Sequence, residues 1–202
     1  MTRSRTRRAA TLPVAFFERS AADVAKALLG KVVVSTIGGE ETSGRIVETE
    51  AYLGRDDPAS HAFGGRRNAQ NQSIYGPTGS WYVYRSYGMH WCANLVCAGP
   101  AGGSAVLLRA LEPVAGLDVM GRRRGSMAPR LYCAGPGRLC QALGIDRRLD
   151  GVMMPPSEVV VLDASDPDPA EVQTTPRIGI TRAADWPLRF ILADSPALSR
   201  RR

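Results

Sequence analysis

Short runs of apolar residues, several of them separated by turns that contain glycine, recur along the chain and set its fold class. The runs read KVVVSTI, SGRIVETEAYLG, YVYRS, HWCANLVC, SAVLLRALEP, VVVLDAS, RIGITR and LRFILA. Runs of this length are typical of strands, and turns at Gly38-Gly39 and Tyr87-Gly88 are short enough to join antiparallel neighbours. The pattern predicts a curved, largely antiparallel β-sheet.

Helical spacing of apolar residues is found in three shorter stretches. The first covers residues 17–28, with Ser20 as a possible N-cap and Gly30 as the stop signal. Residues 114–123 and the segment that follows Gly137 are predicted to form two further helices. Helices that are set apart from most of the strands favour the α+β class.

The length of 202 residues suits one domain, with a core that is stable without disulfides or metal. We expect residues 11–202 to form this α+β domain, with a curved, largely antiparallel sheet, flanking helices and a protruding β-hairpin. Residues 1–10, MTRSRTRRAA, are expected to form a disordered basic tail.

The charge of the chain favours a polyanionic partner. The formal net charge is +7 and the pI is near 9.7, and because only Lys26 and Lys31 are lysines, 24 of the 26 basic residues are arginines. Arginine offers a planar fork to phosphate oxygens, and clustered cations bind phosphates by releasing counterions. A solvated surface combined with compositional bias of the genome is an open alternative.

Neither a membrane segment nor a metal site is indicated by the sequence. No apolar run approaches the roughly 20 residues that span a bilayer, and the first residues lack the apolar stretch of a secretory signal. Cys92, Cys97, Cys133 and Cys140 show neither CxxC pairs nor the spacing of a zinc or iron-sulfur site. We expect a soluble intracellular protein with reduced cysteines and no metal or cofactor.

A polar, glycine-rich segment of 26 residues, RDDPASHAFGGRRNAQNQSIYGPTGS, lies between the first strands and the hairpin. A connection of that length is uncommon in a compact domain unless it contributes to a site. Residues 55–80 are therefore expected to line a functional site.

Two carboxylates lie two residues apart in RIVETEAYLG. Alternation along a strand places Glu48 and Glu50 on one face, roughly 7 Å apart. They are either solvated on an exposed face or buried, in which case each needs a partner or a raised pKa and one could be a general base. The separation is also near that of the acid and base of inverting glycoside hydrolases. A single acid that activates a water is simpler, because two residues of one strand cannot readily approach a sugar from opposite sides.

Arg109 interrupts the apolar run SAVLLRALEP. A buried guanidinium without a partner is strongly unfavourable, so the sequence predicts a nearby carboxylate, with Glu50 or Glu48 as candidates. The pair could be an ion pair of the core, or it could hold the carboxylate and a water in line.

The hairpin YVYRSYGMHW has a tyrosine at its tip. Tyr87 lies at the predicted reversal of the chain, where the domain cannot readily cover a large ring. The ring therefore packs back onto its own sheet, contacts a protein partner or contacts a ligand.

The order of these motifs resembles a known family. The blocks IVETEAYLG, DDPASHAFGGR, YVYRSYGMHWCAN, AVLLRALEP, GPGRLCQALGI and PRIGITRAADWPLRF are similar to those of the alkyladenine (3-methyladenine, methylpurine) DNA glycosylases. With their spacers they span about residues 12–198 in the order of the family, which is far more specific than any one block. The resemblance implies a single α+β domain with a curved antiparallel sheet and a hairpin that inserts into DNA.

The resemblance also implies roles for individual residues. Glu50 matches the general base that activates the water, and Arg109 with the main chain near it matches the groups that hold this water. Tyr87 matches a wedge that intercalates into the duplex where the base has been flipped out. The other matches are the base pocket of Tyr52, His61, Tyr84 and Asn94, and the DNA-backbone contacts Arg66, Met89 and His90.

The activity implied by the resemblance is the excision of alkylated or deaminated purines from duplex DNA, in the class of 3-methyladenine, 7-methylguanine, hypoxanthine and ethenoadenine. Removing a base from the stack costs a few kcal/mol, of which an inserted ring recovers part. Water is the nucleophile, so we expect an abasic site as product and no lyase activity. The partner is double-stranded DNA, and the protein is expected to be a monomer of the cytoplasm or nucleoid, or of the nucleus in a eukaryote.

Some chemistry stays open at this point. Neutral lesions need protonation, for which His61 is a candidate acid, and a lyase would need an amine such as Lys26 or Lys31, both remote in sequence from the site. A nucleic-acid binder that kept this scaffold without catalysis is a further alternative.

The hairpin turn is expected to contain an odd number of residues. Tyr84 and Asn94 can face the same pocket across an antiparallel pair only with such a turn, for instance Tyr87-Gly88-Met89 with Gly88 or its neighbour at positive φ. A two-residue turn would place Asn94 on the opposite face.

Overall fold

The computed structural model describes residues 10–100 and 102–200. Within them the chain forms three α-helices and an eight-stranded β-sheet, which confirms the α+β class. The helices are α1 (Ala21–Ala27), α2 (Leu117–Arg124) and α3 (Pro136–Leu143). The strands are β1 (Val32–Ser35), β2 (Thr42–Tyr52), β3 (Trp81–Ser86), β4 (His90–Cys97), β5 (Ser104–Ala115), β6 (Val159–Leu162), β7 (Val172–Thr175) and β8 (Arg189–Leu192).

The tail predicted at residues 1–10 lies outside the described residues except for Ala10. The carbonyl of Ala10 accepts a hydrogen bond of 2.7 Å from the N–H of Asp163. Thr11 forms an isolated antiparallel bridge to Leu162. This end of the described chain is therefore attached to β6.

The strands of the described sheet pair in antiparallel fashion, as predicted. The main order is β3-β4-β5-β2-β1-β6, while β8 pairs with both β2 and β7. The predicted hairpin is the β3-β4 pair, and β3 is at one end of this order.

β2 is the centre of the sheet because it pairs with three strands. Along one edge it pairs with β5 over residues 43–52. Along the other edge it pairs first with β1, over residues 42–45, and then with β8, over residues 48–50. Glu48 and Glu50 therefore lie between β5 and β8.

The pairing of β2 with β5 is irregular beside Glu48. Glu48 is opposite Ala110 and Thr49 is opposite Leu108, so Arg109 has no opposite residue on β2. Bulges of this kind re-aim a side chain and are frequent next to active sites. The extra residue is the cation that stands out in the sequence.

The main hydrophobic core lies between the sheet and the helices α1 and α3. Large side chains that are fully buried there include Leu28, Leu29, Leu139 and Leu143. Each such side chain stabilises the fold by about 1.5–3 kcal/mol. None of the helices in the described part of the chain is long and apolar enough to cross a lipid bilayer.

A second, smaller cluster fastens the long loop of residues 55–80 to the other face of the sheet. Its members are Ala62, Ile74, Tyr82, Val96 and Ala105. Alternation along the strands places the last three opposite the main core. The loop therefore covers the face of the sheet that carries Tyr82, which is the face turned away from the main core.

The predicted helices are present with shifted ends. The Oγ of Ser20 accepts a hydrogen bond of 3.2 Å from the N–H of Asp23, as expected of the N-cap of α1. Helix α2 begins at Leu117 rather than at residue 114, because residues 114 and 115 still belong to β5.

The strand predicted over RIGITR is wrong. Residues 177–182 have no strand conformation, and β7 lies earlier in the chain. The N–H of Ile178 donates to Oε1 of Glu50 at 2.8 Å, and Gly179 has a φ of +78°. A backbone group that a strand would use for pairing binds a carboxylate instead.

Candidate active site

Glu48 and Glu50 are both fully buried, each with 0% exposure. This excludes the alternative of two solvated glutamates. Two ionised carboxylates in such a place need cations and hydrogen-bond donors nearby, or they become neutral. The structure supplies both kinds of partner.

The Glu50 carboxylate accepts three hydrogen bonds. Oε1 accepts a hydrogen bond of 2.8 Å from the N–H of Ile178. Oε2 accepts one of 3.0 Å from the Tyr52 hydroxyl and one of 3.1 Å from Nη1 of Arg109. Burial, together with the adjacent Glu50, raises the pKa of Tyr52, so this hydroxyl remains a donor. An ionised carboxylate has about four acceptor positions, so one stays open among the described groups.

Arg109 connects the two carboxylates. Its Nε donates to Oε1 of Glu48 at 3.1 Å, and Nη1 donates both to Glu50 and to the carbonyl of Ile178, the latter at 3.3 Å. Nη2 donates to Oγ of Ser199 at 3.3 Å. Burial lowers the pKa of Arg109 but Glu50 and Glu48 raise it, and the net effect is a raised pKa. The predicted carboxylate partner of Arg109 is confirmed, and both candidates bind it.

Glu48 is held by a second arginine as well. Nε of Arg189 donates to Oε1 of Glu48 at 2.7 Å. The N–H and hydroxyl of Ser199 donate to Oε2 and Oε1 of Glu48 at 2.7 and 2.8 Å. Glu48, Glu50, Arg109 and Arg189 thus form a buried cluster whose formal charges cancel.

Tyr52 is backed by a buried ion pair. The guanidinium carbon of Arg177 lies 4.7 Å from the centroid of the Tyr52 ring. Nη2 of Arg177 donates to Oδ1 of Asp57 at 2.8 Å, and both side chains are fully buried. Nη1 of Arg177 also donates to the carbonyl of Ala51 at 3.0 Å. The pair ties the segment that carries Ile178 to the start of the long loop.

Three aromatic side chains form a group on β3 and the long loop. Nδ1 of His61 lies 2.6 Å from the hydroxyl of Tyr82, and the His61 ring meets Tyr84 edge-on with centroids 4.5 Å apart. Tyr82 and Tyr84 are stacked at 5.4 Å. Burial, followed by Cys92 and Tyr52, raises the pKa of Tyr84. Directly opposed residues share a face, and the register aligns Tyr82, Asn94, Leu107 and Glu50 across β3, β4, β5 and β2, so the aromatic group and Glu50 lie on the same face of the sheet.

Asn94 lies on the same face as these tyrosines. Directly opposed residues of an antiparallel pair share a face, and the register pairs Tyr82 with Asn94 and Tyr84 with Cys92. Nδ2 of Asn94 donates to the carbonyl of Tyr82 at 3.0 Å. The predicted odd-numbered turn, which this register requires, is confirmed.

The turn exposes its tyrosine. Ser86 pairs with His90, so the turn is Tyr87-Gly88-Met89. The Tyr87 side chain is 86% exposed and Met89 is 67% exposed, which excludes a ring packed onto its own sheet. Tyr87 has a φ of +49°, a region that a bulky residue rarely adopts and that is often found at functional sites.

Arg66, Met89 and His90, for which the family resemblance implies contacts to the DNA backbone, are exposed on the surface of the long loop and the hairpin. The main chain of Arg66 is held, because its carbonyl accepts from the Tyr75 hydroxyl at 2.8 Å and from Nδ2 of Asn71 at 3.0 Å. The structure therefore brings the catalytic and base-pocket candidates together and leaves the others at the surface.

Sequence reasoning missed several members of the site. Arg189 carries the same signal as Arg109, a cation inside an apolar strand, and could have been found by it. Tyr82 alternates with Tyr84 and could have been placed on the same face. The contributions of Asp57, Arg177 and the Ile178 backbone have no comparable signal in the sequence. Among the described residues, no three His, Cys, Asp or Glu side chains are arranged to hold a metal ion.

Acidification is expected to destabilise the fold partly through His61. His61 is exposed at the surface, but its ring contacts the Tyr82 hydroxyl and the Tyr84 ring, and this partial desolvation lowers the pKa of His61 below its ordinary value of 6.5. The contribution to stability is small, because solvent screens an exposed group. Between the lowered value and 6.5 the unfolded chain binds a proton that the folded protein does not, so stability falls as the pH falls through this window. Urea unfolding at about pH 7.5 and about pH 5.5 should show a smaller acid loss for His61→Gln than for the wild type.

The matched control for this measurement is His90→Gln, because both histidines are exposed but, among the described residues, only His61 has a side-chain hydrogen bond, to Tyr82, and an aromatic contact, to Tyr84. This variant should retain the acid loss of the wild type. If His61→Gln lost as much stability on acidification as the wild type, the ring of His61 would not be desolvated in solution.

Comparison with known proteins gives a consistent result. Residues 15–196 match the family model described as methylpurine-DNA glycosylase (MPG). A protein of Nitrosospira multiformis is 49% identical over 91% of this chain and 91% of its own length, and one of Agrobacterium fabrum is 49% identical over 94% and 93%. A protein of Methanoculleus marisnigri is 48% identical over 95% of this chain and 100% of its own length. The provisional name of all three is 3-methyladenine DNA glycosylase.

Proposed function

The chain belongs to the methylpurine-DNA glycosylase family, and we propose that it flips alkylated or deaminated purines out of duplex DNA and hydrolyses their N-glycosidic bonds. As a DNA glycosylase it is a hydrolase of N-glycosyl bonds that acts in DNA repair. The proposed substrates are the class of 3-methyladenine, 7-methylguanine, hypoxanthine and ethenoadenine. The observation that carries the proposal is the buried Glu50 carboxylate, which accepts hydrogen bonds from Arg109, Tyr52 and the main-chain N–H of Ile178.

Glu50 is proposed as the general base. Its open acceptor position can take a proton from a water, and Nη1 of Arg109 and the Ile178 carbonyl lie beside it to orient that water. The anion also stabilises the positive charge that develops on the sugar during bond cleavage. Glu50 and Arg109 thus take the catalytic roles.

The base pocket is proposed to consist of Tyr52, His61, Tyr84 and Asn94. The rings of Tyr52, His61 and Tyr84 offer flat surfaces for a purine, the Asn94 amide offers hydrogen bonds, and base-flipping enzymes read the extruded base by stacking and by hydrogen bonds. The lowered pKa of His61, caused by desolvation, leaves the ring neutral near pH 7. A neutral imidazole suits a hydrogen-bonding role better than proton donation to a neutral lesion.

A glycoside hydrolase of the inverting type is a poorer fit to the geometry. Such an enzyme needs one free carboxylic acid and one base on opposite sides of the bond. Glu48 instead accepts hydrogen bonds from Arg109, Arg189 and Ser199, and it shares a strand face with Glu50. Glu48 is therefore unsuited to protonate a leaving group.

Tyr87 is proposed as the residue that fills the gap in the duplex, with Arg66, Met89 and His90 at the DNA backbone. Tyr87→Ala is expected to weaken binding to a duplex that carries a lesion by about 5- to 150-fold, because stacking of a base on an aromatic ring contributes about 1–3 kcal/mol. The measurement is a titration of labelled duplex. The midpoint of thermal unfolding should hardly change, since the ring is 86% exposed.

The control for this prediction is Tyr87→Phe, which keeps the ring and should bind nearly as well as the wild type. If Tyr87→Ala bound lesion duplexes as tightly as the wild type, the ring would not enter the DNA.

We propose a monofunctional enzyme that leaves an abasic site. A lyase needs a neutral amine to attack the sugar. Nζ of Lys31 donates to Asp163 and Asp166 at 2.8 and 2.9 Å, and although burial lowers the pKa of Lys31, these partners raise it above its ordinary value. Lys26 is exposed on α1. Neither lysine is a suitable nucleophile for the site.

The experiment that tests the function is release of free base from duplexes that carry hypoxanthine, ethenoadenine or 3-methyladenine. The wild type should release at least one of these bases and leave the strand uncut until alkali is added. A protein that bound such duplexes without releasing any base would be a binder that kept the scaffold. Strand cleavage that disappeared in Lys26→Ala or Lys31→Ala would contradict the monofunctional assignment.

A further inference from the structure

We propose that Glu48 and Ser199 are positioning residues for the hydrolysis, because they fix the direction in which Arg109 presents Nη1 to Glu50. This inference rests on the proposed function of the site. It assigns a catalytic purpose to the segment that follows β8, which touches neither Glu50 nor the aromatic group through any hydrogen bond of the described residues.

The argument starts from the shape of the guanidinium. It is a rigid planar fork with five N–H donors, so fixing two of its nitrogens fixes the third. Nε of Arg109 donates to Glu48 at 3.1 Å and Nη2 donates to Ser199 at 3.3 Å. Nη1 is then aimed at Glu50 and at the carbonyl of Ile178. A free arginine side chain would sample many rotamers instead.

Ser199 links Glu48 and Arg109 to each other. Its hydroxyl donates to Oε1 of Glu48 at 2.8 Å and accepts from Nη2 of Arg109. Its own N–H donates to Oε2 of Glu48 at 2.7 Å. The hydroxyl therefore links anion and cation in a fixed geometry, and alanine at this position would remove both bonds of the hydroxyl while keeping the bond of the N–H.

Arg189, which lies on β8, also holds Glu48 in place. Its Nε donates to Glu48 at 2.7 Å, Nη1 to the Thr175 hydroxyl at 3.0 Å and Nη2 to the carbonyl of Arg200 at 3.3 Å. Glu48 is thus fixed independently of Arg109. Because Glu48 is itself immobile, it can determine the orientation of the Arg109 guanidinium that it binds.

Ser195 offers a matched control in the same segment. Its hydroxyl donates to Oε1 of Glu112 at 2.7 Å and accepts from the N–H of Ala197 at 3.2 Å. It therefore makes as many hydroxyl hydrogen bonds as Ser199, but none with the Arg109 cluster. Loss of either hydroxyl should affect folding similarly, whereas only that of Ser199 should affect the chemical step.

The experiment compares Ser199→Ala and Ser195→Ala in single-turnover release of hypoxanthine from duplex DNA, with enzyme in excess. We expect Ser199→Ala to lower the rate constant about tenfold, since small misplacements of positioning groups are costly to the rate, with a dissociation constant for an abasic-analogue duplex that changes less than about twofold. Ser195→Ala should retain both wild-type values. Ser199→Thr, which keeps the hydroxyl, should restore most of the rate.

The outcomes separate this inference from the proposed function. A wild type that releases no base removes the proposed function and the inference with it. With an active wild type, an unchanged rate in Ser199→Ala overturns the inference alone, and so does an equal loss of rate in Ser195→Ala. If Ser199→Ala does not fold, Ser199→Thr and Ser199→Val decide, because they share a shape and differ in the hydroxyl, and equal rates for these two overturn the inference.

Discussion

Glu50→Gln is expected to lower the rate of base release by at least about 100-fold, the smaller end of what general bases contribute. The amide cannot accept a proton from water at neutral pH. It also presents an NH2 group to a site where the Ile178 N–H, the Tyr52 hydroxyl and Arg109 all donate. Single-turnover release of hypoxanthine from duplex DNA measures the effect. Binding to a duplex with an abasic-site analogue should persist, because Tyr87 and the surface arginines are untouched.

The matched control is Glu112→Gln. Glu112 is a half-buried carboxylate of β5 that pairs with Arg45 at 3.6 Å and accepts from Ser195, so the same chemical change takes place outside the cluster. This variant should release base at the wild-type rate. If Glu50→Gln did so as well, Glu50 would not be the base, although the family of the chain would stand.

The sheet could be predicted from the sequence because the patterns that indicate strands and turns lie within short segments of the chain. Apolar runs closed by Gly38-Gly39 and by the hairpin turn indicate strands and antiparallel neighbours without knowledge of the rest of the chain. RIGITR looked like a strand for the same local reason. Its backbone bonds are decided by Glu50 and Arg109, which are 128 and 69 residues away from Ile178 in sequence. The pattern of residues within one segment cannot predict a hydrogen-bond partner that lies so far away in sequence.

Those parts of the candidate site could be predicted in which a charged residue would be buried and would therefore need a partner of opposite charge. An arginine within an apolar strand needs an anion, so the partnership of Arg109 with Glu48 or Glu50 followed from the sequence. The β-bulge at Arg109 could not be predicted, because both strands look regular when taken separately. Asp57 and Arg177 are 120 residues apart and each resembles a surface charge in its own segment. Their pairing depends on how the two loops fold together.

The buried cluster includes two residues that would not touch substrate, Glu48 and Arg189, but that balance the charges of those that would. An anion beside a water is useful only if it stays ionised without an excess of cations, and Glu48 compensates the second positive charge of the cluster. The requirement is electrostatic and involves the whole group, because each ion is fully or almost fully removed from water. The site is therefore sensitive to any change in the number of its charges.

Arg109→Met is expected to destabilise the protein by about 3–5 kcal/mol, because it leaves the buried Glu50 carboxylate without a cation. Glu50 loses its only arginine partner among the described residues, while Glu48 keeps Arg189. For a domain of this size the loss corresponds to a fall of about 10 °C in the midpoint of thermal unfolding. Thermal and urea unfolding at neutral pH measure the effect, and base release should be lost as well.

Arg122→Met is the matched control, since Arg122 also pairs with two carboxylates, Glu40 and Asp118, but in solvent on α2. Exposed ion pairs contribute little because water and salt screen them, so this variant should unfold close to the wild-type midpoint. Addition of Glu50→Gln to Arg109→Met should recover part of the lost stability, because it removes the carboxylate left without a cation. If Arg109→Met were as stable as Arg122→Met, water would already hydrate the two carboxylates in solution, and the buried ion cluster from which the role of Glu50 as a base is argued would not exist there.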